Sequence, residues 1–292
     1  MEPHLVILAG GISSRMRRPD TQGVVTDATL LREADEKAKG MIGVGEGYRP
    51  FLDYLLFNAE QAGYSDILIV VGEQDSSIQE YYGTAMRGNL FHRLVISYAV
   101  QPVPPGRQKP LGTADALWHG LRACPEWSGT KFTVCNSDNL YSVEALRLMR
   151  TTSHRAAMID YDRARLEFEE ERIAQFAVIR KDPAGFLLDI IEKPDRACIA
   201  SVADPGGRVG VSMNIFRFEY DLICPYLERT PFHPVRHEKE LPSAVMLLLA
   251  DAPRAMMTYP MAEHVPDLTR KGDIARVQEY LRRAFGTRGL WT

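Results

Sequence analysis

Residues 5–11 read Leu-Val-Ile-Leu-Ala-Gly-Gly, an unbroken apolar run that stops on a glycine pair. An apolar run without polar alternation suits an inner strand of a parallel sheet, which is covered on both faces. The glycines permit a tight turn at positive φ, in which successive amide N–H groups face one concavity. Arg15 follows in the same stretch, and its planar, permanently charged guanidinium suits phosphate oxygens. Taken alone, the stretch is read equally well as an ordinary strand-to-turn junction, so the remaining chain has to decide.

Strand-type runs at 5–8, 67–71 and 94–98 alternate with helical patterns at 51–62 and 78–82, the texture of βαβ units on a parallel sheet. A helix over 114–123, a strand over 132–135 and a helix over 143–150 continue it. From residue 176 the texture changes. Runs at 176–180 and 186–191 flank Asp182-Pro183-Ala184-Gly185 and predict a β-hairpin. A strand over 209–218, a helix over 243–250 and an amphipathic helix over 273–285, with Ile274, Val277, Tyr280 and Leu281 at helical spacing, complete the chain. The second half reads as α+β laid on the same sheet, with no linker or repeat dividing the halves. Residues 17–38 form a charged insertion, helical in part over 28–38, which reads as a solvated lid or an oligomer contact.

Composition excludes several functions. The 292 residues carry 35 Lys and Arg against 38 Asp and Glu, a net charge of −3, so no basic footprint for nucleic acid or an anionic membrane exists. Cys124, Cys135, Cys198 and Cys224 are scattered without a C-x-x-C pair, which suggests neither a zinc site nor a disulfide framework. The start lacks a basic leader, and the apolar run at 244–250 is too short to cross a bilayer. A soluble, cytoplasmic protein is the expectation. His233 and His237 have ligand spacing, but Pro234 argues against a helix through them and no metal role is assigned. Gly43-Val44-Gly45-Glu46-Gly47 lacks the dinucleotide-fingerprint spacing and reads as a turn.

Asn136-Ser137-Asp138-Asn139 follows the strand at 132–135, which puts Asp138 at a carboxyl strand end, where open α/β sheets bind ligands. A carboxylate there suits half of a magnesium site completed by substrate phosphates. The alternative is that Asp138 caps the helix at 143–150.

In order along nearly the whole chain, these segments resemble those of the sugar-1-phosphate nucleotidyltransferases. Leu8-Ala9-Gly10-Gly11 through Arg15 is similar to that family's triphosphate loop, and Lys39-Gly40-Met41-Ile42-Gly43-Val44 to its lysine segment. Tyr98-Ala99-Val100-Gln101-Pro102 and Leu111-Gly112-Thr113-Ala114-Asp115-Ala116-Leu117 resemble its base-reading pair. Asn136-Ser137-Asp138-Asn139 resembles the metal-aspartate motif, Ile191-Glu192-Lys193-Pro194 the sugar motif, and Val265-Pro266-Asp267-Leu268 the segment of the second metal aspartate. Three departures stand out. Ser13 replaces a glycine before the Ser/Thr-Arg pair, Gly43 stands where proline is usual, and Ser212 takes the place of a common asparagine, with Asn214 two residues on.

The resemblance implies an α/β, Rossmann-like domain with a mixed, mostly parallel sheet and helices on both faces. It implies one domain over 1–292, with a nucleotide half at 1–145, a sugar half at 146–265 and a closing segment at 266–292. The implied reaction moves a nucleotidyl group from a nucleoside triphosphate to a sugar-1-phosphate, with magnesium and release of pyrophosphate. Arg15 and Lys39 would be catalytic, and Asp138 and Asp267 would hold the metal. Leu8, Ala9, Gly10, Gly11, Gln101, Gly112 and Thr113 would bind the nucleotide. Asn139, Glu192, Lys193, Ser212 and Asn214 would bind the sugar phosphate. The amide of Gln101 offers a donor and an acceptor that match N3–H and O4 of uracil or thymine, so UTP or dTTP is expected. A homo-oligomer is compatible with the family, and the absence of hexapeptide repeats after the transferase motifs leads us to expect a transferase unit alone. The competing readings are a noncatalytic regulatory homologue and a transferase for a non-sugar phosphate such as phosphocholine. For Asp267 the competing reading is a loop residue whose charge favours the helix beginning at 273.

Overall fold

The structure, a computed structural model, describes residues 3–11, 13–18, 25–286 and 290–291. The strands are β1 (His4–Leu8), β2 (Asp66–Gly72), β3 (Asn89–Phe91), β4 (Leu94–Gln101), β5 (Lys131–Asn136), β6 (Ala156–Asp162), β7 (Val178–Lys181), β8 (Leu187–Ile191), β9 (Gly210–Val211), β10 (Phe216–Glu219) and β11 (Met256–Met261). The helices are α1 (Ala28–Glu36), α2 (Phe51–Gln61), α3 (Ser77–Tyr82), α4 (Thr113–Ala123), α5 (Val143–Thr151), α6 (Glu170–Ile173), α7 (Arg196–Ser201), α8 (Tyr220–Glu228), α9 (Leu241–Asp251) and α10 (Asp273–Phe285).

The opening apolar run becomes β1, hydrogen-bonded in parallel to β2 on one side and β5 on the other. Its residues alternate between two cores. Leu5 and Ile7 join the cluster with Phe51 and Leu55 of α2 and Leu146 of α5, whereas Val6 and Leu8 join the one with Leu117 of α4 and Leu248 of α9. Burial on both faces is why the run shows no polar alternation. Parallel neighbours need long crossovers, and α2, α3 and α4 supply those joining β1, β2, β4 and β5.

All strands belong to one mixed sheet, ordered β3-β4-β2-β1-β5-β10-β6-β9-β7-β8, with β11 parallel to β6. β10 lies antiparallel between β5 and β6, joining the second half of the chain to the parallel ladders of the first. The hairpin at β7 and β8 forms as expected, and Asp182 closes its turn by accepting from the amides of Ala184 and Phe186 at 2.9 Å. The chain advances from β1 toward β4 on one side and returns to β5 on the other. The strand order therefore reverses beside β1, and an open sheet leaves a crevice at such a point. No helix among the described residues is long and apolar enough to cross a membrane.

Two expectations need correction here. The continuous strand over 209–218 is two short strands with a break at 212–215, because Asn214 adopts a left-handed conformation (φ 57°) that no ladder accommodates. Over its described helix the insertion is not a detached, solvated lid, because one face of that helix packs on the core. Asp27 caps α1 by accepting from the amides of Thr29 and Leu30 at 2.8 and 3.3 Å. Leu30, Ala34 and Ala38 are buried in the core, and Lys271 reaches Asp35 at 2.6 Å. Residues 19–24 of the insertion lie outside the described residues.

Candidate active site

A cleft of about 770 Å³ opens at the carboxyl ends of β1, β4 and β5, and every site residue assigned from the sequence lines it. Register explains the convergence. Leu8 pairs with Asn136 across β1 and β5, while Gly72 pairs with Gln101 across β2 and β4, so the loops leaving these strands start at one level.

The glycine loop is built differently from the expectation. Gly10 and Gly11 are not at positive φ; the left-handed residue is Ser13, with φ 55°, and the chain turns there as the amides of Met16 and Arg17 donate to its carbonyl. Gly10 is tightly neighboured, since a Cβ there would come within 3.1 Å of Gln101 Oε1, and that side chain would have to give by a few tenths of an ångström. A Cβ on Gly11 would meet no atom of the described residues beyond its chain neighbours within 4 Å. That glycine faces open space in which a ligand can approach the backbone. Arg15 projects, exposed, at the same rim.

Lys39 enters the cleft from a short 3-10 turn and donates to Asp138 Oδ2 at 2.7 Å. Lys37 instead pairs with Glu33 at 2.7 Å. The other oxygen of Glu33 accepts from the Gly43 amide at 2.8 Å, and a Cβ on Gly43 would lie 2.6 Å from the Tyr48 carbonyl oxygen. Proline can supply no N–H and cannot fit there, which accounts for glycine at that position.

Asp138 does not cap α5; Ser142 does, accepting from the Ala145 amide at 3.0 Å. The segment after Asp138 lies instead against the C-terminal segment. Asn139 and Asp267 form an antiparallel bridge, and the amides of Leu268 and Leu140 donate to the carbonyls of Asp138 and Pro266 at 2.8 and 2.9 Å. Asp267 accepts from Thr269 Oγ1 at 2.5 Å and pairs with Arg172 at 2.7 Å. Burial, reinforced by the Asp138 charge, pushes the Asp267 carboxyl above its ordinary range, while Arg172 opposes the shift. The start of α10 is stabilised by Asp273, which accepts from the amides of Thr269 and Arg270, so Asp267 is not occupied with that helix. Among the described residues no group of three or more His, Cys, Asp or Glu gathers to enclose a metal, His233 and His237 included.

On the base side, Gln101 is 2% exposed, and its Nε2 donates to both the Gly112 carbonyl at 2.9 Å and Asp115 Oδ2 at 2.8 Å. Both amide hydrogens are therefore committed, and Oε1 is what the side chain has left to offer. The donor-and-acceptor reading of Gln101 is corrected accordingly. Gly112 has φ 110°, with no room for a Cβ beside the Lys239 carbonyl 2.6 Å away, and Thr113 accepts from the Leu241 amide at 2.9 Å.

On the other side, Asn139 is 4% exposed and its Nδ2 has no partner among the described residues, an unspent buried donor in the cleft wall. Lys193 and Asn214 are held in left-handed conformations at φ 47° and 57°, and strain of this kind concentrates at ligand sites. Ser212 lines the cleft near them, its amide bound to the Ala177 carbonyl at 3.0 Å. Glu192 lies 3.7 Å from Arg236, which also pairs with Glu240 at 2.5 Å. Arg236, Glu240 and the pair Lys109–Glu238 were not singled out from the sequence; the i,i+4 spacing of Arg236 and Glu240 was their one visible signal. Arg172 gave none, because its partners lie about a hundred residues along the chain.

The Nucleotidyl transferase family model matches residues 5–255. Glucose-1-phosphate adenylyltransferase 2 of Vibrio parahaemolyticus is 24% identical over 222 residues, covering 75% of this chain and 50% of that protein. The glucose-1-phosphate adenylyltransferase of Desulforamulus reducens is 21% identical over 270 residues, covering 90% and 60%. The chain thus spans about half to three-fifths of the length of these relatives. A solved UDP-glucose pyrophosphorylase from Acinetobacter baumannii superposes with a TM-score of 0.69 at 17% identity, over 99% of this chain and 96% of that one, a likeness of fold.

Proposed function

This chain belongs to the nucleotidyl transferase family, and we propose that it transfers a nucleotidyl group from a nucleoside triphosphate to a sugar-1-phosphate, with release of pyrophosphate. The observation that carries the reading is the meeting of Arg15, Lys39, Asp138, Lys193 and Asp267 in one cleft at the strand ends. An oxygen of the sugar phosphate attacks the α-phosphorus. The bond to the α–β bridging oxygen breaks, and pyrophosphate leaves with that electron pair. The attacking phosphate is already an anion, so no protein nucleophile is needed. What the protein must do is hold two polyanions in line and offset their repulsion, which Arg15 and Lys39 suit.

Asp138 and Asp267 would hold magnesium, which when bound supplies positive charge at the reacting phosphate oxygens. The residues present fit it. Two interacting carboxylates, with no third acid grouped with them among the described residues, leave coordination positions for water and phosphate, the pattern magnesium prefers. Glu192 is suited to sugar hydroxyls, and Lys193, Asn139, Ser212 and Asn214 to the sugar phosphate and ring. The division into a nucleotide half over 1–145, a sugar half over 146–265 and a closing segment over 266–292 belongs to the same proposal.

For the base, Oε1 of Gln101 calls for a ring that donates to it. N3–H of uracil or thymine does so, and we place UTP and dTTP first. The exocyclic amine of adenine also donates, and the names of the two adenylyltransferase relatives favour ATP as the second reading. A matrix of triphosphates against sugar-1-phosphates and phosphocholine, scored by magnesium-dependent pyrophosphate release, tests the proposal. Triphosphate binding without release from any pair would leave a noncatalytic homologue.

A further inference from the structure

The two carboxylates at the centre of the cleft are each already paired with a cation of the chain, Asp138 with Lys39 and Asp267 with Arg172, both at 2.7 Å. Arg172 is shared with Asp273, so three carboxylates face two cations, and the charge that Asp138 and Asp267 present to a dication is offset in part. The two cations are held differently. Lys39 is a point charge on a flexible stem. Arg172 spans Asp267 and Asp273, lies 4.5 Å from the centre of the Phe168 ring, and is 11% exposed in its side chain. Asp273 in turn accepts from the amides of Thr269 and Arg270 at the head of α10. The guanidinium is thus held by a hydrogen bond to Asp273, an ion pair with Asp267 and a ring face, and moving it gives up all three.

We propose that Arg172 is the built-in counter-ion of Asp267, a positioning residue that keeps the divalent-cation affinity of the free protein low, so that metal binds together with the triphosphate. The inference rests on the magnesium reading above. A dication entering the free cleft meets Lys39 and Arg172 at close range in a partly buried setting, where solvent and salt screen weakly. The repulsion is offset only when the polyanionic triphosphate arrives. Holding Asp267 in place while taxing the bare metal is therefore one action of a single fixed charge.

The test is titration of the nucleotide-free protein with manganese, followed by the electron paramagnetic resonance of the free ion, and repeated with an unreactive triphosphate analogue. Arg172→Gln, which keeps a donor but loses the charge, is expected to tighten manganese binding without nucleotide by about tenfold or more. Arg172→Lys, which keeps the charge, should stay within about threefold of the native protein by the same electrostatic reasoning. Unchanged or weaker binding by Arg172→Gln, with metal binding beside the analogue still dependent on Asp267, overturns the counter-ion assignment and leaves the metal site standing. If Arg172→Gln does not fold, Arg172→Lys decides, since a clear tightening with the charge retained overturns the assignment as well. Metal binding that never depends on Asp267, with or without the analogue, overturns the magnesium reading itself.

Discussion

The Lys39 ammonium donates to the Asp138 carboxylate at 2.7 Å across 99 residues of chain. Each group reaches the cleft from its own secondary-structure junction. Asp138→Asn should slow turnover by roughly two to three orders of magnitude, comparable with losing one strong transition-state contact, while leaving the fold intact. Steady-state kinetics across a magnesium titration check this, and native turnover in that variant would remove Asp138 from the chemistry.

Gly11 separates folding from binding. Because an added Cβ meets no atom of the described residues beyond its chain neighbours, Gly11→Ala should change unfolding free energy by no more than about 0.5 kcal/mol, as expected of a substitution that disturbs no packing. Its KM for the triphosphate should nevertheless rise by about tenfold, since the methyl occupies ligand space. Urea unfolding read beside substrate kinetics makes the comparison; an unaffected KM would place the phosphates elsewhere.

On the proposed reading, base choice runs through a committed amide. Gln101→Leu takes from the buried Asp115 carboxylate its 2.8 Å donor, at a cost of roughly 1–3 kcal/mol, while the Gly112 carbonyl keeps the Ala116 amide at 2.9 Å. The ratio of kcat/KM for UTP or dTTP over ATP and GTP should fall toward unity in that variant. If the native enzyme prefers a purine triphosphate at the outset, the pyrimidine reading is wrong.

Glu192 should touch one substrate and not the other. Glu192→Ala is expected to weaken sugar-1-phosphate binding while leaving triphosphate binding nearly as it was, because a carboxylate meets neutral hydroxyls far better than phosphates. Calorimetry on each ligand separately decides it. Equal losses would make Glu192 and its neighbour Arg236 a structural pair.

His264 makes stability pH-dependent. Burial holds its imidazole neutral and pulls its pKa from 6.5 to about 4, and its Nδ1 accepts from the Glu167 amide at 3.1 Å. Between those two values the unfolded chain binds a proton that the folded one refuses. Stability is therefore full above about pH 6.5 and declines as pH falls toward 4, by roughly 2–3 kcal/mol. Urea titrations from pH 7.5 down to 4.5 measure the slope, and His264→Gln, which keeps an acceptor, should flatten it.

Much of the architecture was legible locally. An apolar run with both faces buried announces an inner strand, and alternation with helical spacing announces crossovers; β1, β2, α2, α4 and α10 came out at nearly their observed bounds. β6 and β11 were missed. Their runs carry Asp160, Asp162 and Pro260, residues that weaken a strand signal until one sees that Lys181 and Arg208 pair with Asp160. The break at 212–215 was missed because an asparagine at positive φ looks, in sequence, like any other strand residue.

The order of the motifs and the chemical types within them were determined by the sequence alone, because strand ends, glycine turns and a carboxylate after a strand are short-range features whose geometry follows from neighbouring residues. Which groups remain free to act was decided only by the fold. Lys39 rather than Lys37 faces Asp138, Gly10 lies close against Gln101, Gln101 has spent its donors on Gly112 and Asp115, and Asp267 is already held by Arg172. Each of these depends on a partner far away in the chain. A hydrogen-bonding group has a fixed capacity, and how much of it is left for a ligand is set by what tertiary packing brings within about 3 Å.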